Sequence, residues 1–224
     1  MSGSKGNTGV GGGSVTGLKT GIKAAVNIVS TVAIFPLYLS YLLLGLVAGR
    51  DGLFASYSQL VSLIPGKTGS YLRNSFYRLT MTRCEDGVVF SFGTLFSQRD
   101  TEIGSGTYIG PQCNFGSCAV GRDCLVGSGV HILSGKRQHA IDDLDTPIRE
   151  QGGVLTKVSI GNDCWIGNGA IVMADVGNQC VIAAGAVVVD AVGDRSIVGG
   201  NPATLIRQRG KETEAPQSGV LSRS

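Results

Sequence analysis

From Glu102 to Arg209 an apolar residue followed by glycine recurs at steps of about six. The run reads Ile103-Gly104, Ile109-Gly110, Phe115-Gly116, Val120-Gly121 and Val126-Gly127, then, after a break, Ile160-Gly161, Ile166-Gly167 and Val176-Gly177. A hexad is too short for a helical hairpin repeat. It fits one short strand and a corner, with glycine where the chain turns tightly. Two residues before each apolar position stands a small one: Thr101, Thr107, Cys113, Cys118, Cys124, Cys164, Ala170, Ala174, Cys180, Ala186. Side chains alternate across a strand, so both columns face the interior. One such unit cannot bury its apolar face alone, whereas stacked units share a continuous core. Phe90 and Phe96 place the first rung just after Val88.

The repeat is interrupted at Ser134–Leu155, which is polar and lacks alternation. In a solenoid such an insertion projects as a loop, often over the binding face. Upstream, Val26–Ala48 contains no charged residue, with Lys19 and Lys23 before it, Arg50 after it and Pro36 in its middle. That run exceeds the roughly 20 apolar residues needed to span a bilayer. It starts too late and runs too long for a cleavable signal peptide, and no small-residue cleavage site follows. Three readings stay open: a kinked spanning helix, a re-entrant hairpin broken at Pro36, and a helix buried in protein. Leu53, Tyr57, Leu60 and Ile64 share one helical face, and Tyr71, Leu72, Phe76 and Leu79 another, with Arg73 and Arg78 among the latter. These pieces are either interfacial helices with arginines at headgroup level or a cap over the open strand edge of the first coil. The expected division is therefore a disordered tail at 1–17, a hydrophobic membrane-associated helix at 18–50, amphipathic cap helices at 51–85, the β-helix at 86–209 with its insertion at 134–155, and a second tail at 210–224.

Composition narrows the function. Glycine, 35 of 224 residues, exceeds the usual ~7% because of the repeat and the N-terminal stretch. A net charge of +3 gives no footprint for nucleic acid. Five of the six cysteines fall in the small interior column, which reads as reduced core filling and a cytoplasmic catalytic domain. No Cys-x-x-Cys pair occurs, and nothing suggests a metal site.

The hexads, with Cys164-Trp165-Ile166-Gly167, Ala183-Ala184-Gly185-Ala186-Val187-Val188 and Gly200-Asn201-Pro202-Ala203, resemble the hexapeptide-repeat acyltransferases, and most of all their sugar and polysaccharide O-acetyltransferase branch. The resemblance covers about half the chain. It implies a left-handed parallel β-helix, although the general crossover rule alone would suggest the opposite hand. It also implies acetyl-CoA as co-substrate, a saccharide acceptor, no metal, and a homotrimer with sites between subunits. It makes His139, in the projecting loop, the general base. A neutral imidazole suits the removal of a hydroxyl proton as that oxygen attacks a thioester carbonyl. Backbone N–H groups would hold the resulting oxyanion, and Asp142, Asp143 or Asp145 could orient the ring. Alternation turns Trp165 outward, where an indole can stack on a sugar or anchor a subunit interface. By resemblance Asn168 and Ala184 line the pantetheine arm, and Asn201 and Arg207 lie near the nucleotide. Asp190 stands where a lysine is often found. The only other histidine, His131, points out from its strand.

Two other functions compete. One is N-acylation of an amino-sugar. The other is a non-enzymatic β-helix scaffold at a membrane, which would leave the loop histidine unexplained. A zinc-dependent carbonic anhydrase of this fold needs three histidine ligands, and the chain has two histidines.

Overall fold

The computed structural model describes residues 12–210, with side chains from residue 21 onward. Helices α1 (Gly12–Leu44), α2 (Arg50–Ser62) and α3 (Gly66–Thr80) precede a stack of coils. Coil one holds β1 (Arg83–Cys84), β2 (Val89–Phe90) and β3 (Leu95–Phe96); coil two holds β4 (Glu102–Ile103), β5 (Tyr108–Ile109) and β6 (Asn114–Phe115). Coil three holds β7 (Cys118–Val120), β8 (Leu125–Val126) and β9 (His131–Ile132); coil four holds β10 (Val158–Ile160), β11 (Trp165–Ile166) and β12 (Ile171–Val172). Coil five contains β13 (Val181–Ile182) and β14 (Val187–Val188), and coil six ends in β15 (Ser196–Gly200), on which β16 (Ala203–Gln208) folds back.

The strands line up as three parallel faces. Face A is β1-β4-β7-β10, continued by bridges Ile160–Val176 and Val176–Val192. Face B runs from β2 through β5, β8, β11 and β13 to β15, with β16 antiparallel at its end. Face C is β3-β6-β9-β12-β14. The expected parallel solenoid is thus present. Its interior is the predicted apolar column, with Phe90, Ile109, Val126, Ile166 and Ile182 in register on face B and all buried.

The small column does more than fill space. Thr107 Oγ1 donates to the Gly121 carbonyl at 2.8 Å. The thiols of Cys124, Cys164 and Cys180 donate to the carbonyls of Gly161, Gly177 and Gly193 at 3.1, 3.0 and 3.1 Å. These four residues each tie their coil to the corner above, which explains why threonine and cysteine interchange there. The glycine at that corner is required by close stacking: a Cβ on Gly121 would lie 2.7 Å from the Gly161 carbonyl group.

Helices α2 and α3 cap coil one, as one of the two sequence readings expects. Tyr77 is fully buried, its ring 4.8 Å from Phe90 and 4.9 Å from Phe96, and its hydroxyl bonds Ser58 Oγ at 2.9 Å. Ser58 Oγ in turn accepts the Phe96 amide at 2.9 Å. The headgroup reading of Arg73 is overturned. This side chain is 0% exposed, and donates to the carbonyls of Phe90 (3.1 Å), Val61 (3.3 Å), Ser62 (3.5 Å) and Ile64 (2.6 Å). A cation there satisfies the carbonyls left bare where α2 ends and the chain turns into α3. Arg78 remains at the surface, paired with Asp86. On α2 the fully buried residues are Phe54, Ser58, Val61 and Ser62; of the expected face, Leu53 and Tyr57 pack half-buried against the core, Ile64 is half-buried, and Leu60 is exposed.

Helix α1 departs from the sequence reading in three ways. It begins at Gly12, so residues 12–17, assigned to the tail, are helical, while residues 1–11 and 211–224 lie outside the described ones. It runs unbroken through Pro36, so no hairpin forms there. It is also not buried in protein. Ser30, Ile34 and Tyr41 face inward, whereas Ile28, Val29, Val32, Phe35, Leu39 and Leu43 are exposed. At its contacts with the other helices, Thr31 bonds Ser75 Oγ at 3.3 Å and Ser40 bonds the Tyr57 hydroxyl at 2.7 Å. The first coil starts at Arg83, ahead of the expected 86.

Candidate active site

The insertion is an ordered arm. Val154 N donates to the Arg137 carbonyl at 2.8 Å and Ala140 N to the Gly152 carbonyl at 2.9 Å, so the two limbs run side by side. Gln151 closes the tip, donating to the carbonyls of Asp143 and Thr146, both at 2.6 Å. At one root Lys136 reaches the Asp190 carboxylate (2.9 Å) and the Val189 carbonyl (3.1 Å) on coil five. At the other, Lys157 meets the Glu102 carboxylate and the Asp100 carbonyl, both at 2.6 Å. That hydrogen bond from Lys157 holds the Glu102 carboxyl below the usual carboxylate range.

His139 is exposed on this arm, between the paired residues Arg137 and Ala140. Among the described residues no hydrogen bond or ion pair links its imidazole to Asp142, Asp143 or Asp145. Asp143 is committed elsewhere. Its carboxylate accepts the Asp145 amide at 2.9 Å, and hydrogen bonds from Thr146 and Asp145 keep its carboxyl below the ordinary range. His131 projects from face C between Asn114 and Ile171.

The arm leaves after face C and re-enters at face A, so it is rooted on the edge opposite face B. Trp165 is on face B and 53% exposed. It stands in an outward row with Tyr108, Leu125 and Val181, and Leu125 is itself 50% exposed. Within one chain, then, the roots of the arm and the tryptophan belong to opposite sides of the stack.

Three of the four residues assigned to the co-substrate come together. Asn168 and Ala184 occupy the corner between faces B and C on coils four and five, and Asn201 follows β15 at the same end of face B. Asn168 also ties two coils, since its Oδ1 accepts the Ser128 amide at 3.0 Å, one coil down. The corner is bare. Cβ atoms built on Gly129, Gly169 and Gly185 would meet nothing within 4 Å. The Asn201–Pro202 peptide is cis. Arg207 lies apart from this corner, on β16 opposite Ile197.

Cys113 and Cys118 offer no nucleophile. Burial pushes Cys113 up to about 11 and Cys118 up to about 12, well above neutral pH. Sequence reasoning misses the anchoring of the arm through Lys136. Its partner Asp190 stands out in the sequence only as a departure from the expected lysine.

The chain matches no family model, and no curated protein matches it in sequence. Its fold is that of solved acetyltransferases. A galactoside acetyltransferase in complex with coenzyme A superposes with a TM-score of 0.61 at 17% identity, over 71% of this chain and 80% of that one. A hexapeptide-repeat acetyltransferase from Vibrio cholerae gives a TM-score of 0.59 at 19% identity, covering 74% and 96%. A maltose O-acetyltransferase from Clostridium difficile 630 gives 0.59 at 17% identity, covering 73% and 90%. At these identities the likeness establishes the shared fold.

Proposed function

We propose that the chain is an acetyl-CoA-dependent O-acetyltransferase of the hexapeptide-repeat type, acting on a saccharide close to a membrane. The observation that carries this reading is the anchored arm. A twice-rooted insertion with internal pairing holds an exposed imidazole clear of the coils, and none of the described contacts gives that imidazole a structural role. The solved proteins of this fold named above are acetyltransferases, one of them bound to coenzyme A.

The residues fit such a co-substrate. An extended pantetheine arm needs a strip free of side chains, which Gly129, Gly169 and Gly185 provide along one corner. Asn168, Ala184 and Asn201 border that strip, and Arg207 supplies a guanidinium suited to phosphate. His139 takes the proton of the acceptor hydroxyl as its oxygen adds to the thioester carbonyl, then returns it to the departing sulfur. Trp165 contributes from a second chain in a trimer packed through the apolar row of face B.

Helix α1 supports the location. It is long and apolar enough to cross a bilayer over Gly21–Leu44. Yet it lies along α3, with Thr31 on Ser75 and the Tyr41 ring 6.1 Å from Phe76. Crossing in that arrangement would carry Lys67 and Arg78 of α3 into hydrocarbon, which is costly. Packed on α3 along one side and apolar on its uncovered side, α1 instead lies in the membrane plane, the coils on the cytoplasmic side where free thiols persist.

The test is acetyl-CoA turnover over a panel of sugars and glycolipids. Wild type should turn over, and His139→Ala should lose at least about 10²-fold in rate. An unchanged mutant sinks the base, and an inert wild type sinks the enzyme.

A further inference from the structure

A cavity of about 600 Å³ opens where α1, α3 and the first two coils meet, lined by Lys23, Lys67, Arg73, Asn27, Ser70 and Tyr108 among others. Its charge is one-sided. Three cationic side chains line it and no aspartate or glutamate does. Among the described residues neither Lys23 nor Lys67 has an ion-pair partner. Arg73 is wholly buried and likewise has no carboxylate. Its hydrogen bonds all go to backbone carbonyls. A cavity lined by cations and by no carboxylate favours an anion.

The cavity also receives the start of α3. Gly66, Lys67 and Ser70 belong to both. No side chain caps that helix N-terminus, and its first turn holds no acidic residue. Free amide hydrogens and the positive end of the helix dipole favour a phosphate there. The rest of the wall suits the region just below a headgroup, with Tyr71, Tyr108, Phe92 and Val89. On the opposite face of α1 stand the uncovered Ile28, Val29, Val32 and Phe35.

We propose that this cavity binds the phosphate headgroup of an anionic membrane lipid whose acyl chains continue into the bilayer on which α1 lies. Lys23 and Lys67 neutralise the phosphate, the first amides of α3 donate to its oxygens, the buried Arg73 adds positive charge behind them, and the aromatic residues flank the glycerol region. The site is far in sequence from the anchored arm and from the bare corner. It rests on the membrane placement of α1, and not on acetyl transfer.

The experiment is flotation of the full-length protein on phosphatidylcholine vesicles with and without phosphatidic acid. Wild type should bind both and prefer the anionic vesicles. Lys23→Gln with Lys67→Gln should cut that preference about tenfold or more, from the loss of two ammonium groups at the surface. Ser70→Trp fills the cavity with no change of charge and should abolish the preference equally, while thermal unfolding shows each variant folded. A preference that survives Ser70→Trp means general surface attraction and overturns the site. So does equal binding of wild type to both vesicles. Failure to bind either vesicle overturns the membrane placement as well. Soluble glycerol phosphate that protects against heat as well as the vesicles do overturns the lipid source. Sugar acetylation, read separately, is untouched by any of these results.

Discussion

Lys136 and Asp190 meet at 2.9 Å although the chain runs through coil four and most of coil five between them. The root of the arm is thereby fixed to a coil beyond the one it leaves. Both groups are solvent-exposed, and an exposed ion pair is worth only ~0–1 kcal/mol. The contact therefore directs the arm more than it stabilises the fold. Lys136→Ala should leave thermal unfolding almost unchanged while turnover drops about tenfold, because small misplacements of a base are expensive. A loss of stability with turnover intact would contradict that division.

The arm is rooted on one side of the stack and Trp165 belongs to the other, so the proposed site would draw its two residues from two chains. His139→Ala and Trp165→Ala should each be impaired alone. Co-expressed, they should recover about a quarter of wild-type turnover by random mixing, since closed assemblies then contain some sites with both residues intact. No recovery, measured on mixed assemblies of confirmed composition, would show that the two residues do not share a site across subunits.

Arg73 holds four carbonyls around the α2–α3 turn and coil one. Arg73→Met keeps much of the bulk and removes the donors. Leaving buried carbonyls unsatisfied costs about 1–3 kcal/mol each, so the variant should unfold at least about 2 kcal/mol more easily in urea. Arg78→Met, whose partner Asp86 is at the surface, should change stability by less than about 1 kcal/mol.

Three of the thiols predict alkaline sensitivity. Burial raises Cys113 to about 11 and Cys84 and Cys118 to about 12. Below the unfolded thiol value of ~8.5 both states keep these protons, and stability is flat. Above it the unfolded chain loses protons that the native chain retains, so stability falls as pH rises toward 11–12. Urea midpoints should fall steadily from about pH 9 upward, and Cys118→Ala should flatten that slope. At pH 7 the folded thiols should resist alkylation until denaturant is added.

The coils are legible because two columns of the sequence carry one signal: a bulky apolar residue and a small one, two positions apart. Ile166 and Cys164 are such a pair, and both are buried. What the small column does beyond filling is not legible. Cys164 donating to Gly177 depends on the stacking distance between coils, which spacing alone does not contain. The arm is legible as an interruption, and its histidine as a candidate base because no packing reason accounts for it. Its anchor is not, because Lys136 and Asp190 meet only once the coils are stacked. Helix α1 reads as apolar throughout. Its packed side, with Ile34 and Tyr41, is as apolar as its uncovered side, so no period separates the two in the sequence. Arg73 misleads because a charge on an amphipathic helix is usually solvated, and only the carbonyls left by α2 make its burial favourable.

Bridges link Ile160 to Val176 and Val176 to Val192, so successive storeys of face A repeat in identical register. Below, three helices close the stack; above, β16 doubles back over β15. Nothing within a storey sets how many there are. Duplicating residues 161–176 should add one level and lift the C-terminal lid by about 4.8 Å, with both lids undisturbed. The height of this rod is decided by what terminates it, and its repeating units are indifferent to their number.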